Sequence, residues 1–167
     1  MTKKELYEKF IFAIRDNDLE TVKECVKRGV DVNRCFDING SNPLYLCLMK
    51  NRDARMFRYL VANGADVTKR IGGEDVKNWL KPSLLSFAVD LADVPIEIVK
   101  TILENGGDRD INYAPKGQSS PLEEALRKKD VEMLKLFSKY CDFRISPKLI
   151  DREIKDNRKV IKNTKTI

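Results

Sequence analysis

Few residues of this 167-residue chain could do chemistry, and none stands in an arrangement that chemistry needs. There is no histidine, which removes the commonest general base and the commonest transition-metal ligand. The four cysteines, Cys25, Cys35, Cys47 and Cys141, are too far apart for a zinc knuckle or a redox pair. Cys25, Cys47 and Cys141 fall where small core residues are expected, and core packing suits lone cysteines better than a four-cysteine zinc site. Gly72-Gly73-Glu74 lacks the downstream Gly-Lys-Ser/Thr of a phosphate loop. Asp108-Arg109-Asp110 opens like a calcium loop, but no glycine follows at the sixth position and no glutamate at the twelfth, so these read as solvated loop charges. Glu123 and Glu124 belong to the first turn of a helix, where carboxylates favour the dipole. Ser119 and Ser120 precede Pro121 without a basic partner and read as helix caps, not nucleophiles. The expectation is therefore a non-enzyme with no cofactor, no bound metal and no small-molecule substrate.

Composition sets the outer bounds. Hydrophobic residues make up 42% of the chain and charged residues 35%, which suits one domain or one short repeat array. No apolar run approaches the roughly 20 residues of a membrane span. The opening Met1-Thr2-Lys3-Lys4-Glu5 has no signal-peptide core, which makes the cytoplasm the default compartment, with export or delivery to a host cell without a classical signal as the alternative. The formal charge is +6, but from Arg144 to Ile167 eight Lys/Arg against three Asp/Glu leave +5, so the first 143 residues carry only +1. Basicity is a property of the tail, and a nucleic-acid surface on the body is disfavoured.

The elements that position the side chains repeat. Gly29-Val30-Asp31-Val32-Asn33 returns as Gly64-Ala65-Asp66-Val67-Thr68, then as Gly106-Gly107-Asp108, and weakly as Tyr140-Cys141-Asp142. Nine residues before each aspartate stand Val22, Phe57, Val99 and Met133; six before, Cys25, Leu60, Ile102 and Leu136; five before, Val26, Val61, Leu103 and Phe137. Offsets of three and four place all of them on one helical face. A second helix precedes each: Phe10-Ile11-Phe12-Ala13, Leu44-Tyr45-Leu46-Cys47, Leu85-Ser86-Phe87-Ala88 and Leu122-Glu123-Glu124-Ala125, each with a large apolar residue three positions before a small one. Pro43 and Pro121 suit a first helical turn, and Gly29, Gly64 and Gly106 suit a left-handed helix stop.

Asn42-Pro43-Leu44-Tyr45-Leu46-Cys47 and Ser120-Pro121-Leu122-Glu123-Glu124-Ala125 resemble the Thr-Pro-Leu-His-x-Ala signature of ankyrin repeats, and Asn63-Gly64-Ala65-Asp66-Val67 resembles the end of the second ankyrin helix. The resemblance covers roughly residues 4 to 143 and implies an all-α, ankyrin-type repeat solenoid of about four helix-pair repeats with short inter-repeat loops or hairpins. Repeats are expected at about 4–34, 37–68, 82–112 and 117–143, with an insertion at 69–81; residues 1–146 form the array, and 147–167 a C-terminal capping helix and basic tail. The signature histidine is replaced by Tyr45, Ser86 and Glu123, so its hydrogen bonds between repeats must come from elsewhere. Repeat four is also one residue short and lacks the glycine.

The resemblance further implies a protein-interaction module, probed through a concave face built of loop tips and the exposed side of each first helix. Mapped onto this chain, the helix positions are Arg15 and Asp16, Met49 and Lys50, Val89 and Asp90, and Arg127 and Lys128. The loop tips are Ile38, Asn39 and Ser41, then the insertion, then Lys116 and Gln118. Within the insertion Trp79 reads either as a binding anchor or, with Leu80, as a lid folded over repeats two and three. The expected partner is another protein, acting on a chain that is monomeric alone; membrane is excluded, and the alternative is a nucleic-acid-associated module working through Lys155, Arg158, Lys159, Lys162 and Lys165.

Overall fold

The computed structural model describes residues 1–72, 77 and 81–140. Trp79, most of the insertion, Cys141, and the expected capping helix and tail lie outside the described residues. Among the described residues the chain is all-α, with no strand. The helices come in pairs: α1 (Lys3–Arg15) with α2 (Leu19–Lys27), α3 (Pro43–Lys50) with α4 (Ala54–Ala62), α5 (Leu84–Asp90) with α6 (Ile96–Ile102), and α7 (Pro121–Lys128) with α8 (Val131–Phe137). First helices pack on first helices, α1 on α3 and α5 on α7; second helices do the same, α4 on α6 and α6 on α8.

Local chemistry sets the helix starts. Thr2 and Glu5 close a capping box on α1, and Ser120 and Glu123 close another on α7. Asn42 caps α3 by accepting from the Tyr45 N–H at 2.9 Å, and Ser83 caps α5 by accepting from the Ser86 N–H at 2.9 Å. Asp18, Asp53 and Asp130 cap α2, α4 and α8 in the same way, while α6 starts at Pro95 with no side-chain cap. The expected prolines stand at the first positions of α3 and α7, where their missing N–H costs nothing.

Helix ends follow a second rule. Gly64 takes φ +91° just past α4 and lets the N–H groups of Gly64 and Ala65 bond back to Val61 and Leu60. Between the two helices of every pair the chain turns through a left-handed residue that is not glycine: Asn17, Arg52, Asp93 and Lys129, all with φ between 51° and 60°. Asparagine tolerates that region; an arginine or lysine there carries strain of about 1 kcal/mol, held by the flanking helices.

The core lies between the two helix layers. Phe10, Ile14, Leu44, Leu48 and Leu85 come from the first layer and Phe57, Leu60, Val99, Ile102 and Phe137 from the second, all fully buried or nearly so. Of the twelve second-helix positions marked by the repeat, ten are buried; Val26 and Val61 are half-buried against the core. Leu103 is buried as expected, but it opens a five-residue π turn, Leu103–Gly107, in place of a further turn of α6, because Asn105 and Gly106 leave helical geometry. Cys25 and Cys47 are buried core residues.

Two expected surface positions are corrected. Ser41 is buried, not at a loop tip, because its N–H donates to the Asp37 carboxylate at 2.9 Å and its carbonyl accepts from the Phe36 N–H at 3.0 Å, closing the loop beneath the tip. Val89 is buried because α5 turns that position toward the core.

Candidate partner-binding face

Four repeats in register place equivalent residues of the first helices on one face. One row is Ile11, Tyr45, Ser86 and Glu123; the next is Phe12, Leu46, Phe87 and Glu124; a turn further on stand Arg15, Met49, Asp90 and Arg127. Residues three or four apart on a helix are surface neighbours, so the rows merge into one stripe. Phe12 is 51% exposed and Met49 44% exposed, two of the four large apolar side chains that face solvent among the described residues. The Arg15 guanidinium lies 4.5 Å over the Phe12 ring. Tyr45 and Phe87 meet with ring centroids 4.5 Å apart, and this aromatic pair joins α3 to α5. Neither the tyrosine nor the serine and glutamate at the equivalent positions acts as a histidine would: Ser86 shares a hydrogen bond with Ser83 at 2.9 Å, and Glu123 serves the α7 cap.

The sites expected on this face divide into two groups. Arg15, Asp16, Met49, Lys50, Asp90 and Arg127 are exposed on it. Lys128 is exposed too, but its ammonium is occupied: it donates to the carbonyls of Val89 and Asp90 at 2.8 Å each and lies 3.4 Å from Glu124. It therefore closes the C-terminal end of α5 from the next pair. Arg127 is held by the same carboxylate, with Nε donating to Glu124 at 2.8 Å. Glu124 is buried, and the guanidinium of Arg127 and then the ammonium of Lys128 hold its carboxyl below the usual range. Between α5 and α7 the face opens into a groove of about 350 Å³, floored by Phe87 and walled by Pro82, Pro121, Asp90 and the Gln118–Ser120 segment.

The loop edge carries one conspicuous apolar residue. Ile38 is 92% exposed at the tip of the first inter-repeat loop, beside the exposed Asn39. The tip is rigidly built: the Asp37 carboxylate accepts from the Asn39 and Ser41 N–H groups at 3.0 and 2.9 Å. Gly40 closes it with φ +73°, its α-carbon pressed so near the chain at Gly72 that a β-carbon would lie 2.3 Å from the Gly72 carbonyl oxygen. Lys116 and Gln118 are exposed at the third loop tip, away from Ile38 along the sequence of repeats. Trp79 lies outside the described residues.

Sequence reasoning missed Arg70 and Asp110. Asp110 is buried, not solvated, and accepts from the Arg70 Nη2 at 2.6 Å, while the Arg70 guanidinium lies 3.8 Å over the Tyr113 ring. Tyr113 in turn donates to the Lys81 carbonyl at 3.0 Å. One Asp110 oxygen and one Arg70 nitrogen, both buried, have no hydrogen-bond partner among the described residues. Forty residues separate the pair in sequence, and no local pattern signals it. Phe12 had a legible signal: it stands three residues before Arg15 on the stripe.

Two of the cysteines are held in the core. Burial pushes the Cys47 thiol up to about 12, which keeps it a protonated core residue, and burial raises the Cys25 thiol as well. Among the described residues no cluster of three His, Cys, Asp or Glu could hold a metal ion. No described helix is long and apolar enough to cross a membrane.

Residues 10–61, the span from α1 to α4, match the family of ankyrin repeats (many copies). A search of curated proteins finds no match to the chain.

Proposed function

Given that the chain is an ankyrin-repeat protein, we propose that it is a non-catalytic interaction module, an adaptor, inhibitor or regulator, that binds a folded protein partner through the first-helix face and the loop tips. One observation carries this reading. Phe12 and Met49 on the helix face and Ile38 at the loop tip leave large apolar side chains in water, the kind of surface that supports association. Met49 offers an adaptable contact, and Ile38 a fixed one whose ordering cost is already met by the Asp37 cap. Arg15, Asp16, Asn39, Lys50, Asp90, Lys116 and Arg127 supply the polar surround, with Trp79 as a further contact from the insertion. The stack itself explains why such a face stays fixed: each pair rests on its neighbours, so the surface is held by the whole array.

The test is affinity capture from the source organism's lysate with mass spectrometry, followed by titration of the captured protein. Met49→Glu and Ile38→Asp are expected to weaken binding at least tenfold with melting curves unchanged, since hot-spot truncations cost about 2 kcal/mol. If both bind normally and only deletion of residues 147–167 abolishes binding, the basic tail is the functional element and the reading of this face fails. Tail-driven binding to phosphates would also weaken steeply with salt.

A further inference from the structure

We propose that Asn39 is a site of spontaneous covalent modification: the Gly40 main-chain nitrogen attacks the side-chain amide and expels ammonia, and water then leaves aspartate or isoaspartate at the first loop tip. The chain holds three Asn-Gly pairs, Asn39-Gly40, Asn63-Gly64 and Asn105-Gly106. Deamidation favours such pairs because glycine, with no β-carbon, leaves its nitrogen open to approach. Residue type therefore makes the three equivalent, and the fold separates them. Asn63 stands at the C-terminal cap of α4, and its side-chain nitrogen donates to the Tyr59 carbonyl at 2.8 Å. Asn105 stands in the π turn and donates in the same way to the Thr101 carbonyl at 2.8 Å. Each of those carbonyls lies four residues back, so the bond points the amide down the helix and away from the nitrogen that follows it. The Gly64 nitrogen is engaged as well, donating to the Val61 carbonyl at 3.0 Å.

Asn39 is held differently. It is exposed, and its side chain has no hydrogen bond among the described residues. The Asp37 carboxylate grips its main-chain N–H at 3.0 Å and leaves the amide free to turn. The Gly40 nitrogen donates to the Asp37 carbonyl at 3.3 Å, longer than an ordinary N–H···O bond. Gly72 crowds only the side of Gly40 where a β-carbon would stand. The step needs no oxidant or reductant. A bond forms between the Gly40 nitrogen and the Asn39 Cγ as that nitrogen gives up its proton. The Cγ–Nδ2 bond breaks, and the leaving nitrogen takes a proton and departs as ammonia. Water then adds to either carbonyl of the cyclic imide. Opening at Cγ gives aspartate; opening at the main-chain carbonyl gives isoaspartate, whose chain runs on through the side-chain carbon. Either product sets a new carboxylate close to Asp37, beside Ile38. The conversion does not depend on whether Ile38 seats a partner.

The test is ageing of the full chain in mildly alkaline buffer, well below its melting temperature, beside the same chain in concentrated guanidinium chloride. Peptide mapping by mass spectrometry follows each asparagine, and an isoaspartate-specific methyltransferase reports the rearranged product. In the denatured chain the three sites are expected to convert within about threefold of one another, since little local structure separates them. In the folded chain Asn39 is expected to convert at least about tenfold faster than Asn63 or Asn105, because those two must first break a hydrogen bond and deform a helix end. Residue 39 should yield isoaspartate together with aspartate, the mark of the imide. Aspartate alone would mean direct hydrolysis and overturn attack by the Gly40 nitrogen. Asn63 or Asn105 converting as fast as Asn39 in the folded chain overturns the assignment, as does an Asn39 that stays intact there. A preference for Asn39 that persists unchanged in guanidinium overturns the role of the fold. Asn39→Gln, whose longer side chain closes the ring poorly, should lose the early acidic species on isoelectric focusing, with a melting curve to show that it folds. Acidic species that form as fast in that variant place the modification elsewhere and overturn the proposal.

Discussion

The first helix pair meets the second through several separate hydrogen bonds, of amides with backbone, of the Lys69 ammonium with the Asn33 carbonyl and of the Asn17 amide with the Asp53 carboxylate, whereas the second meets the third around one buried ion pair. At the first junction Asn33 donates to the Gly64 carbonyl at 2.8 Å and accepts from the Asp66 N–H at 2.8 Å, while Asn51 reaches across to the Ile14 carbonyl at 2.5 Å. These amides cap backbone groups that would otherwise be orphaned, and each bond contributes about 1 kcal/mol. At the second junction Arg70 and Asp110 form an ion pair with the Arg70 guanidinium over the Tyr113 ring, and the same two pairs are also joined by the Tyr45–Phe87 contact and by the bond from Arg52 to the Ala92 carbonyl. A buried ion pair adds little net stability while intact, because desolvation opposes attraction, but losing either partner leaves a charge without compensation. The first junction is therefore expected to degrade gradually under substitution and the second abruptly. Where the ankyrin signature that the sequence resembles has a histidine, this chain has Tyr45, Ser86 and Glu123, and its two junctions are joined by different contacts.

The largest expected effect falls at the second junction. Asp110→Ala strands the Arg70 guanidinium, and denaturant unfolding should show a loss of about 3 kcal/mol, the low end for a buried pair because Arg70 keeps some solvent contact. Replacing both residues, Arg70→Met with Asp110→Leu, should cost less than either single change; if the double variant is the sum of the singles, the pair is not coupled and the contrast between junctions dissolves.

Core truncations calibrate both junctions. Leu60→Ala and Leu103→Ala should each lose roughly 2–5 kcal/mol, since both side chains are buried between the layers. An effect under about 0.5 kcal/mol, typical of surface positions, would show the helical register to be wrong.

A smaller loss is expected at the first junction. Asn33→Ala removes two bonds at a half-buried site and should cost about 1–2 kcal/mol by thermal or chemical unfolding. A loss as large as that of Asp110→Ala would make the two junctions equivalent.

The smallest effect is a pH dependence at the first junction. The Asp53 carboxylate, bonded by the Arg55 side chain and by N–H groups of α4, also accepts from the Asn17 amide across the junction at 3.2 Å and is held well below the usual carboxylate range. Its folded pKa is depressed, so its contribution is complete above the unfolded value near 4 and is lost as pH falls below it. Asp53→Asn should flatten the acid limb of stability against pH, with a cap-sized change of about 1 kcal/mol at neutral pH. An unchanged acid limb would show that Asp53 does not couple pH to this junction.

Periodicity made the helices legible. A face of 3.6-residue repeats is a local signal, and Val22, Phe57, Val99 and Met133 are buried where that signal puts them. Caps were legible for the same reason, as with Ser120 and Glu123 at α7. What periodicity cannot carry is the third dimension of a loop. Ser41 carries the composition of a loop tip but is drawn inward by the Asp37 carboxylate. Lys128 carries the composition of a free surface lysine but closes the end of α5 from the next pair. Arg70 opens the insertion and Asp110 closes the third repeat, and their pairing depends on where the stack places two loops, which no window of sequence encodes. On the first-helix face the register located Met49 and Asp90, and Phe12, exposed like them, stands one turn before Arg15 on the same stripe.

The contact between Gly40 and Gly72 ties together parts of the molecule that share no helix. Backbone touches backbone there with no side chain to yield, so the contact transmits compression and little else. Gly72 follows Arg70 by two residues, and Arg70 is fastened to Asp110 beyond α6. The loop edge thus has its own line of close contacts beside the helical layers, from the first loop tip through Gly72 and Arg70 to Asp110 of the third pair.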